Sequence, residues 1–544
     1  MTMEKKIYTL PEMTFRRKFS VNLYKNLRMP LGEMSLYTDW VNSKRGDTYP
    51  IISNDGELYE EVEKFATYLV KNTSDTVATR RRLLGQHFPY ASYEMTLWEL
   101  TGAAGFSFIC HDDGRSEYTA ETAPSVDILL EGSLENGYCI SCDVFVGGKL
   151  VRSEKTDISP LFTAGTVFSV TARGEEFDVF ADNGDKPNYI HSFTVPEFSE
   201  IRKQINFTAC TAALCVSLPK DGLFCAHSIS WYLEAGISQA DVRPIRYTDG
   251  TPMMENGRLF FTMSSRLIKG GFQSVISWNP SCCDFNFEGA LFFDAGDGAW
   301  CADVASSILY DKSTETYLIW MCSFSHDHIL AHGTATGDIR YGINVIDVTL
   351  MPVESYVEKK GVDGTDPGGA KSKGKPTLAD DRTFAAKYAD EDPDFYFDSE
   401  KSCWYMTVCR SSADKGGKYE YYRFRSDRPF DGYTFIDRTG NFEETGGSTV
   451  KIGDRRYFVC GALFGARAVY NIYDLSRDDE KFHFEGNMKC DYDDGGFRGW
   501  GTVVPVKCGN RTKYMWLTFD RHLASPVFNW SYGNLHAFEA DLQN

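Results

Sequence analysis

Long apolar runs are absent from this 544-residue sequence, because no stretch approaches the ~20 apolar residues that a membrane-spanning helix needs. The opening residues, MTMEKKIYTL, are not followed by an apolar stretch of signal-peptide length. Basic residues are fewer than acidic ones. The sequence has 57 Lys and Arg and 76 Asp and Glu, which gives a formal net charge of -19. Nucleic acids and anionic membranes are bound through basic surfaces, so neither is an expected partner. We therefore expect a soluble, cytoplasmic protein with an uncharged ligand.

Disulfide and metal-binding patterns are also sparse. The 15 cysteines are odd in number and scattered, and Cys282 and Cys283 are adjacent, which is typical of reduced thiols in the cytosol. No pair of CxxC motifs occurs. The one dense histidine group, His326, His328 and His332, is a weak metal signal and is more typical of a pocket rim or surface loop. We expect no cofactor and no metal.

Residues 1–80 are mixed in character. The stretch from Asp55 to Lys71 has apolar residues at helical spacing and predicts a helix in a segment that serves as a brace or lid. Residues 81–235 read differently, as short alternating runs such as SVDILLEGS and EFDVFADNGD, separated by Gly, Asp and Asn. Short alternating runs separated by these turn-forming residues predict an antiparallel β-sandwich of the jelly-roll or concanavalin-like type.

A longer unit recurs five times over residues 238–544. Each unit opens with a small acidic or polar cluster and reaches a strand rich in aromatic residues. The openings are ADVRPIRYTDG at Ala240, WCADVASSILYD at Trp300, DEDPDFYFD at Asp390, ETGGSTVKIGD at Glu444 and RGWGTVVPV at Arg498. The period of roughly fifty to sixty residues suits four-stranded blades, so an all-β fold ending in a five-bladed β-propeller is predicted. The Gly- and Lys-rich stretch from Gly361 to Asp381 predicts an exposed loop, either a tolerated insertion or a lid.

Four acids, Asp241, Asp303, Asp392 and Glu444, stand at the unit openings. The innermost strand of each propeller blade starts at the central channel, so these acids are expected to converge. Glycoside cleavage needs one carboxylic acid to protonate the leaving oxygen and a carboxylate to activate water or attack carbon. A third acid can hold the pKa of the proton donor high through like-charge repulsion. An Asp beside Gly or Pro also fits a turn, where it caps its own backbone.

These phrases resemble the five-bladed glycoside hydrolases of family 43 and, more distantly, the fructosidases of family 32. The resemblance covers about Ala240 to Ala540. ADVRPIRYTDG is similar to the first-blade pattern and implies that Asp241 is the catalytic base. DPDFYFD is similar to the Asp-Pro-x-x-Phe-Phe-Asp signature and implies that Asp392 tunes the acid and orients substrate. ETGGSTVK stands where the family has Glu-Gly-Pro and implies that Glu444 is the general acid, with Glu443 as the alternative because one extra residue intervenes and the Pro is missing.

Further residues are implied to bind substrate. The phrase WCADV resembles the family's Trp-Ala-Pro-Asp and makes Asp303 a sugar-hydroxyl ligand or a pocket-wall acid. Trp300 and Trp500 are sugar-stacking platforms or core residues. Arg243 is expected to share a strand face with Asp241, to keep that carboxylate ionised or to form a structural ion pair. Family members often bind a central cation through a fifth-blade His, but Trp500 stands in that neighbourhood here, so a structural calcium is not supported.

The leading hypothesis is an exo-acting, inverting hydrolase of a small glycoside or oligosaccharide of arabinofuranoside, xyloside or fructofuranoside type. Two alternatives stay open. A retaining fructofuranosidase-like enzyme would use Asp241 as nucleophile, and a non-catalytic carbohydrate-binding protein would use the propeller as a scaffold. The composition is also compatible with a homo-oligomer.

Overall fold

The computed structural model describes residues 9–21, 23, 27–34, 36, 49–63, 67–133, 135–157, 162–184, 187–234, 238–266, 271–326, 328–352, 355, 388–412, 419–441, 443–464, 467–491, 497–509, 511–520 and 535–541. The chain divides into two compact units. Unit 1 comprises residues 1–27, 235–296 and 301–544, and unit 2 comprises residues 28–234 and 297–300. The predicted loop over 361–381 lies outside the described residues.

Strands dominate both units. The first fifteen are β1 (Thr14–Val21), β2 (Arg28–Glu33), β3 (Ile51–Asp55), β4 (Leu58–Glu63), β5 (Thr67–Asn72), β6 (Ala78–Gln86), β7 (Ser92–Cys110), β8 (Pro124–Ser133), β9 (Gly137–Val146), β10 (Lys149–Asp157), β11 (Val167–Arg173), β12 (Glu176–Asp182), β13 (Pro187–Thr194), β14 (Cys210–Leu218) and β15 (Leu223–Glu234). The helices described are the 3-10 turns Leu10–Glu12 and Pro196–Phe198 and the α-helix Gln204–Phe207. None of the helices in the described ranges is long and apolar enough to cross a membrane.

The remaining strands belong to unit 1. They are β16 (Ser238–Pro244), β17 (Arg246–Tyr247), β18 (Met254–Glu255), β19 (Arg258–Arg266), β20 (Gly271–Asn279), β21 (Asp284–Asp294), β22 (Val304–Asp311), β23 (Thr316–Ser323), β24 (Ile329–Ala335), β25 (Gly342–Met351), β26 (Tyr388–Asp398), β27 (Cys403–Ser412), β28 (Tyr419–Ser426), β29 (Thr434–Arg438), β30 (Glu444–Ile452), β31 (Arg455–Phe464), β32 (Arg467–Asp474), β33 (His483–Asn487), β34 (Lys489–Cys490), β35 (Phe497–Cys508), β36 (Arg511–Asp520) and β37 (Leu535–Asp541).

Unit 2 is built around the long strand β7. One end of β7 pairs with β11 and β15, and the other end pairs with β8 and β14. The remaining strands extend this network by antiparallel pairing, in the order β10-β9-β8-β7-β11-β12-β13 along its main path. Buried aromatic side chains such as Tyr93, Phe106 and Phe108 lie along β7 and pack on one another.

The helix predicted from Asp55 to Lys71 is wrong. The described part of this stretch forms β4 and β5, which pair with each other, and β5 also pairs with β15. Four successive residues of β5, from Thr67 to Val70, are buried. The apolar residues of this stretch are therefore explained by a strand that is buried between two neighbouring strands, and not by one face of a helix. The segment 1–80 is also not one piece, because residues 1–27 belong to unit 1 and the rest to unit 2.

Unit 1 contains five four-stranded antiparallel sheets, which we call sheets I to V. Sheet I is β16-β19-β20-β21, sheet II is β22-β23-β24-β25, sheet III is β26-β27-β28-β29, sheet IV is β30-β31-β32-β33 and sheet V is β35-β36-β37-β1. The short strand β34 extends sheet V by pairing in parallel with β1. The outer strands of sheets I and II, β21 and β25, also pair in parallel. We call the first-named strand of each sheet its innermost strand.

The innermost strands form a closed ring of contacts: β16 with β22, β22 with β26, β26 with β30, β30 with β35 and β35 with β16. The buried guanidinium of Arg246 contacts two strands of this ring, β26 and β30. It donates to Asp394 Oδ1 at 2.6 Å, to the Thr449 carbonyl at 3.1 Å and to the Phe395 carbonyl at 3.0 Å. This cation therefore ties strands of sheets III and IV to the segment that follows β16.

Five apolar clusters lie between neighbouring sheets: V and I, I and II, II and III, III and IV, and IV and V. Strand alternation produces this arrangement, because successive side chains point to opposite faces. On β19, for example, Phe261 lies in the cluster shared with sheet V and Phe260 in the cluster shared with sheet II. Each sheet is thus buried on both faces.

The N-terminal strand β1 completes sheet V by pairing antiparallel with β37. Phe15 of this strand is fully buried and meets Trp516 edge-on at a centroid distance of 5.9 Å. The ring of sheets is therefore closed by joining the first and last strands of unit 1.

Candidate active site

Each of the five innermost strands breaks register with its neighbour near its start, as a β-bulge does. Four of the breaks contain a residue in the left-handed region: Asp241 (φ 54°), Ala305 (φ 61°), Asp392 (φ 49°) and Gly446 (φ 65°). A bulge bends the strand and redirects its side chains, and strained backbone of this kind concentrates at functional sites. A bulge with a left-handed residue therefore sets the direction of the side chains at the start of four innermost strands.

Asp241 lies in the bulge of β16 and is 2% exposed. The Ser264 hydroxyl donates to its Oδ2 at 2.6 Å, and Gln273 Nε2 donates in turn to Ser264 at 3.1 Å. The backbone N–H of Ala305, from the bulge of β22, also donates to the Ser264 oxygen at 3.3 Å. Polar groups from sheets I and II therefore hold this carboxyl in place.

Asp392 lies in the bulge of β26 and contacts the start of β30. Its Oδ2 accepts hydrogen bonds from the Thr445 hydroxyl at 2.7 Å and from the Gly446 N–H at 2.8 Å. The carbonyl of Gly446 accepts from Arg243 Nη1 at 3.4 Å. Gly446 thus joins Asp392, Arg243 and the start of the strand that carries Glu444 at one point.

Arg243 is a buried cation beside two of the predicted acids. Burial acts to lower the pKa of its guanidinium, but the charges of Asp392 and Asp241 outweigh burial and raise that pKa. Its Nη1 also donates to the Gly501 carbonyl at 3.3 Å, whereas Nη2 is buried with no hydrogen-bond partner among the described residues. An N–H of this cation is therefore available to a ligand oxygen.

Glu444 is fully buried at the start of β30. Its Oε1 accepts from Asn471 Nδ2 at 2.6 Å and from the Tyr473 hydroxyl at 2.5 Å. Burial raises the pKa of this carboxyl above its ordinary value of 4.5, although the hydrogen bonds act in the opposite direction. Oε2 is buried, and Thr439 and Asn441 are further side-chain donors that lower the pKa of this carboxyl. The carboxyl is thus biased towards the protonated form that can donate a proton. Glu443, the alternative acid, is exposed.

Asp303 immediately precedes β22 and is also buried. Its Oδ2 accepts from the Ser323 hydroxyl at 2.9 Å, and its Oδ1 accepts from the N–H and the hydroxyl of Ser325, both at 2.8 Å. Asp303 connects to the other acids indirectly, because Ala305, two residues later, donates to the serine that holds Asp241.

The two tryptophans stand apart from this group. Trp300 belongs to unit 2, where its ring packs on Phe207 and Phe88 at centroid distances of 4.7 and 5.9 Å. The residue is half-buried, and both roles that the sequence leaves open for it stay predictions. Trp500 lies in the innermost strand β35, but its side chain lies outside the described residues.

Solved structures of family 43 glycoside hydrolases resemble this one. An exo-β-1,3-galactanase from Clostridium thermocellum matches over 55% of this chain and 61% of its own, at 9% identity and a TM-score of 0.33. A thermostable family 43 glycoside hydrolase matches over 56% and 89%, at 10% identity and a TM-score of 0.36. An α-L-arabinofuranosidase from Clostridium thermocellum matches over 54% and 88%, at 11% identity and a TM-score of 0.34.

No protein-family model and no curated protein matches the chain. The structural neighbours belong to the family that the sequence motifs resemble. Identities and TM-scores this low do not assign the neighbours' activities to this chain. The chemistry has to be inferred from the residues of the site.

Several residues of the site could not be found by sequence reasoning. Ser264, Asn471 and Tyr473 hold the carboxyls of Asp241 and Glu444 but lie on second or third strands, where the sequence assigns them no role. The bulges did leave a signal, because Pro393 and the pair Gly446 and Gly447 interrupt innermost strands where a regular ladder would disfavour them.

Proposed function

We propose that this chain is a glycoside hydrolase with unit 1 as a five-bladed β-propeller and with Asp241, Asp392 and Glu444 as its working carboxyls. The observation that carries the proposal is the junction at Gly446, where Asp392 and Arg243 meet the strand that begins with the buried Glu444, whose pKa is raised by burial. Glycoside cleavage requires this pairing of a protonated carboxyl with carboxylates held by other groups.

In the proposed reaction Glu444 gives its proton to the departing glycosidic oxygen as the bond to the anomeric carbon breaks. Asp241 takes a proton from a water molecule, and the water oxygen forms the new bond to that carbon. Asp392 and Arg243 orient the sugar, with Arg243 Nη2 as donor to a ring or hydroxyl oxygen. Asp303 accepts from a sugar hydroxyl. The expected separation of acid and base is about 6.5–9.5 Å, the range of inverting enzymes.

The proposed substrate is a small glycoside or oligosaccharide of arabinofuranoside, xyloside or fructofuranoside type, cleaved from its end. A neutral sugar suits a chain with a net charge of -19, because the strongly acidic protein disfavours anionic ligands. We further propose that unit 2 is an accessory β-sandwich.

Asp241→Asn tests the base. The amide has nearly the same shape and still accepts from Ser264, but it cannot take a proton from water, so turnover should be lost while Tm stays close to that of the wild type. Activity on a panel of aryl glycosides and thermal unfolding measure the two effects. Wild-type turnover by the folded variant would exclude Asp241 from the chemistry.

The stereochemistry of the product separates the proposed mechanism from its nearest rival. Single displacement by water gives a first-formed sugar with the opposite anomeric configuration to the substrate, which proton NMR detects before mutarotation. Retention of configuration would instead show Asp241 or another carboxylate acting as a nucleophile, as in the fructofuranosidase-like alternative.

A further inference from the structure

Three potential metal ligands meet beside the bulge of sheet II. Ligand atoms of Cys301, Asp303 and His326 all lie within 4.8 Å of one another, and this is the single group of its kind among the described residues. Cys301 and Asp303 are buried and His326 is half-buried. The histidine trio of the sequence does not assemble, because the His332 ring stacks on Phe430 and the His328 ring meets Phe324 edge-on.

The hydrogen bonds of Ser323 define the form of the imidazole. Its hydroxyl donates its one proton to Asp303 Oδ2 at 2.9 Å and lies 2.7 Å from His326 Nδ1. With that proton committed, the hydroxyl oxygen accepts from Nδ1–H, and an imidazole that carries only this proton keeps its lone pair on Nε2. A neutral imidazole whose other nitrogen donates to a neighbour is the usual form of a metal-bound histidine.

The donor set matches zinc. Thiolate, imidazole and carboxylate are ligands that Zn²⁺ takes at about 2.0–2.3 Å, which puts donor atoms about 3.3–3.8 Å apart in a tetrahedral site. Side-chain shifts of about 1 Å bring atoms within 4.8 Å to that spacing. Asp303 accepts three hydrogen bonds and keeps a lone pair, because an ionised carboxylate offers about four acceptor positions.

We propose that Cys301, Asp303 and His326 form a binding site for zinc or a similar thiophilic divalent cation, with Ser323 as the positioning residue that orients two of the three ligands. The fourth position is open to water. For the hydrolase proposed above, the cation would compete with a sugar hydroxyl for Asp303, a consequence that rests on the proposed function.

The test is titration of ZnCl₂ into the full-length, chelator-treated protein, followed by isothermal calorimetry. One high-affinity site is expected, and Cys301→Ser and His326→Ala should each abolish it. Ser323→Ala should weaken zinc binding about 10- to 100-fold, the usual cost of losing a group that orients a ligand. Cobalt(II) added in place of zinc should give a thiolate-to-metal absorption band that Cys301→Ser removes.

Cys508→Ser and His483→Ala are the matched controls, because Cys508 is exposed and His483 pairs with Asp479 away from the cluster. Both should bind zinc like the wild type. Absence of stoichiometric binding, or binding that survives in Cys301→Ser and His326→Ala, would overturn the proposal. Since no substrate is present, this failure is distinguishable from failure of the proposed hydrolase activity.

Discussion

Glu444 has the environment of a proton donor, and its contribution should depend on how poorly the departing oxygen leaves. Glu444→Gln should lose about 10²–10⁴-fold in kcat on a natural oligosaccharide, the usual range for general acid catalysis. Far less should be lost on a dinitrophenyl glycoside of the same sugar, because a phenolate leaves with little help. Steady-state kinetics on both substrates measure the difference, with the exposed Glu443→Gln as control.

Equal losses on both substrates, combined with leaving-group dependence in Glu443→Gln, would place the acid one residue earlier. A second readout is the pH profile. Because burial raises the pKa of Glu444 above 4.5, the wild type should keep its acid protonated above that pH and lose activity as pH rises through the folded-state pKa. Glu444→Gln should lack that alkaline limb.

The residues that could be predicted from the sequence are those carried by phrases near strand starts. Asp392 precedes a proline and Asp241 follows an alanine in a recognisable phrase, and both lie in bulges. Asn471 could not be predicted as a partner of Glu444, because it reaches that carboxyl across two strand pairings that only the folded sheet creates.

At the scale of the element, the bulge of β30 requires glycine. A Cβ placed on Gly447 would overlap the ring of Phe458 and would lie 2.8 Å from that of Tyr421, both fully buried. Gly447→Ala should therefore lower the free energy of unfolding by at least the ~1–3 kcal/mol typical of overpacking, and should impair activity by displacing the start of the strand. Urea unfolding measures the first effect.

Gly337→Ala is the control, because a Cβ placed on this exposed residue would have no atom within 4 Å. Its stability should stay within about 0.5 kcal/mol of the wild type. If Gly447→Ala were equally harmless, the bulge would tolerate a side chain and its role in positioning Glu444 would be wrong.

Strands with a regular repeat were predictable, whereas the stretch from Asp55 to Lys71 was not. The recurring aromatic-rich segments of unit 1 are strands, as the repeat predicts. In β4 and β5 the spacing of apolar residues suits a helix, but pairing of β5 with β4 and β15 overrides that local preference. The pairing with β15 joins residues far apart in the chain, such as Tyr68 and Ala226. A local sequence pattern does not indicate such a long-range pairing.

At the scale of the whole molecule, sheet V depends on a strand from the opposite end of the sequence. Phe15→Ala should lower the free energy of unfolding by about 3–5 kcal/mol, because the ring is fully buried against Trp516 in the cluster between sheets IV and V. Lys18→Ala, on the same strand, removes one half-exposed ion pair with Glu539 and should cost about 0–1 kcal/mol.

Chemical denaturation of both variants provides the comparison, and similar small losses would mean that β1 contributes little to unit 1. No pattern in the sequence indicates this closure. The repeat predicts the fifth unit as complete within residues 498–544, yet the strand that pairs with β37 comes from Thr14–Val21. This pairing covers an edge of β37 that would otherwise be exposed.

Synthesis on the ribosome separates β1 and β37 in time. The first of these strands ends at Val21 and the second begins at Leu535. At about 5–20 residues per second, β1 waits about 25 to 100 seconds after it is made before its partner exists. Unit 2 can be completed during that delay, whereas the ring of sheets cannot close until β37 has been made. Until then the backbone groups of β1 that pair with β37 in the folded protein lack these partners.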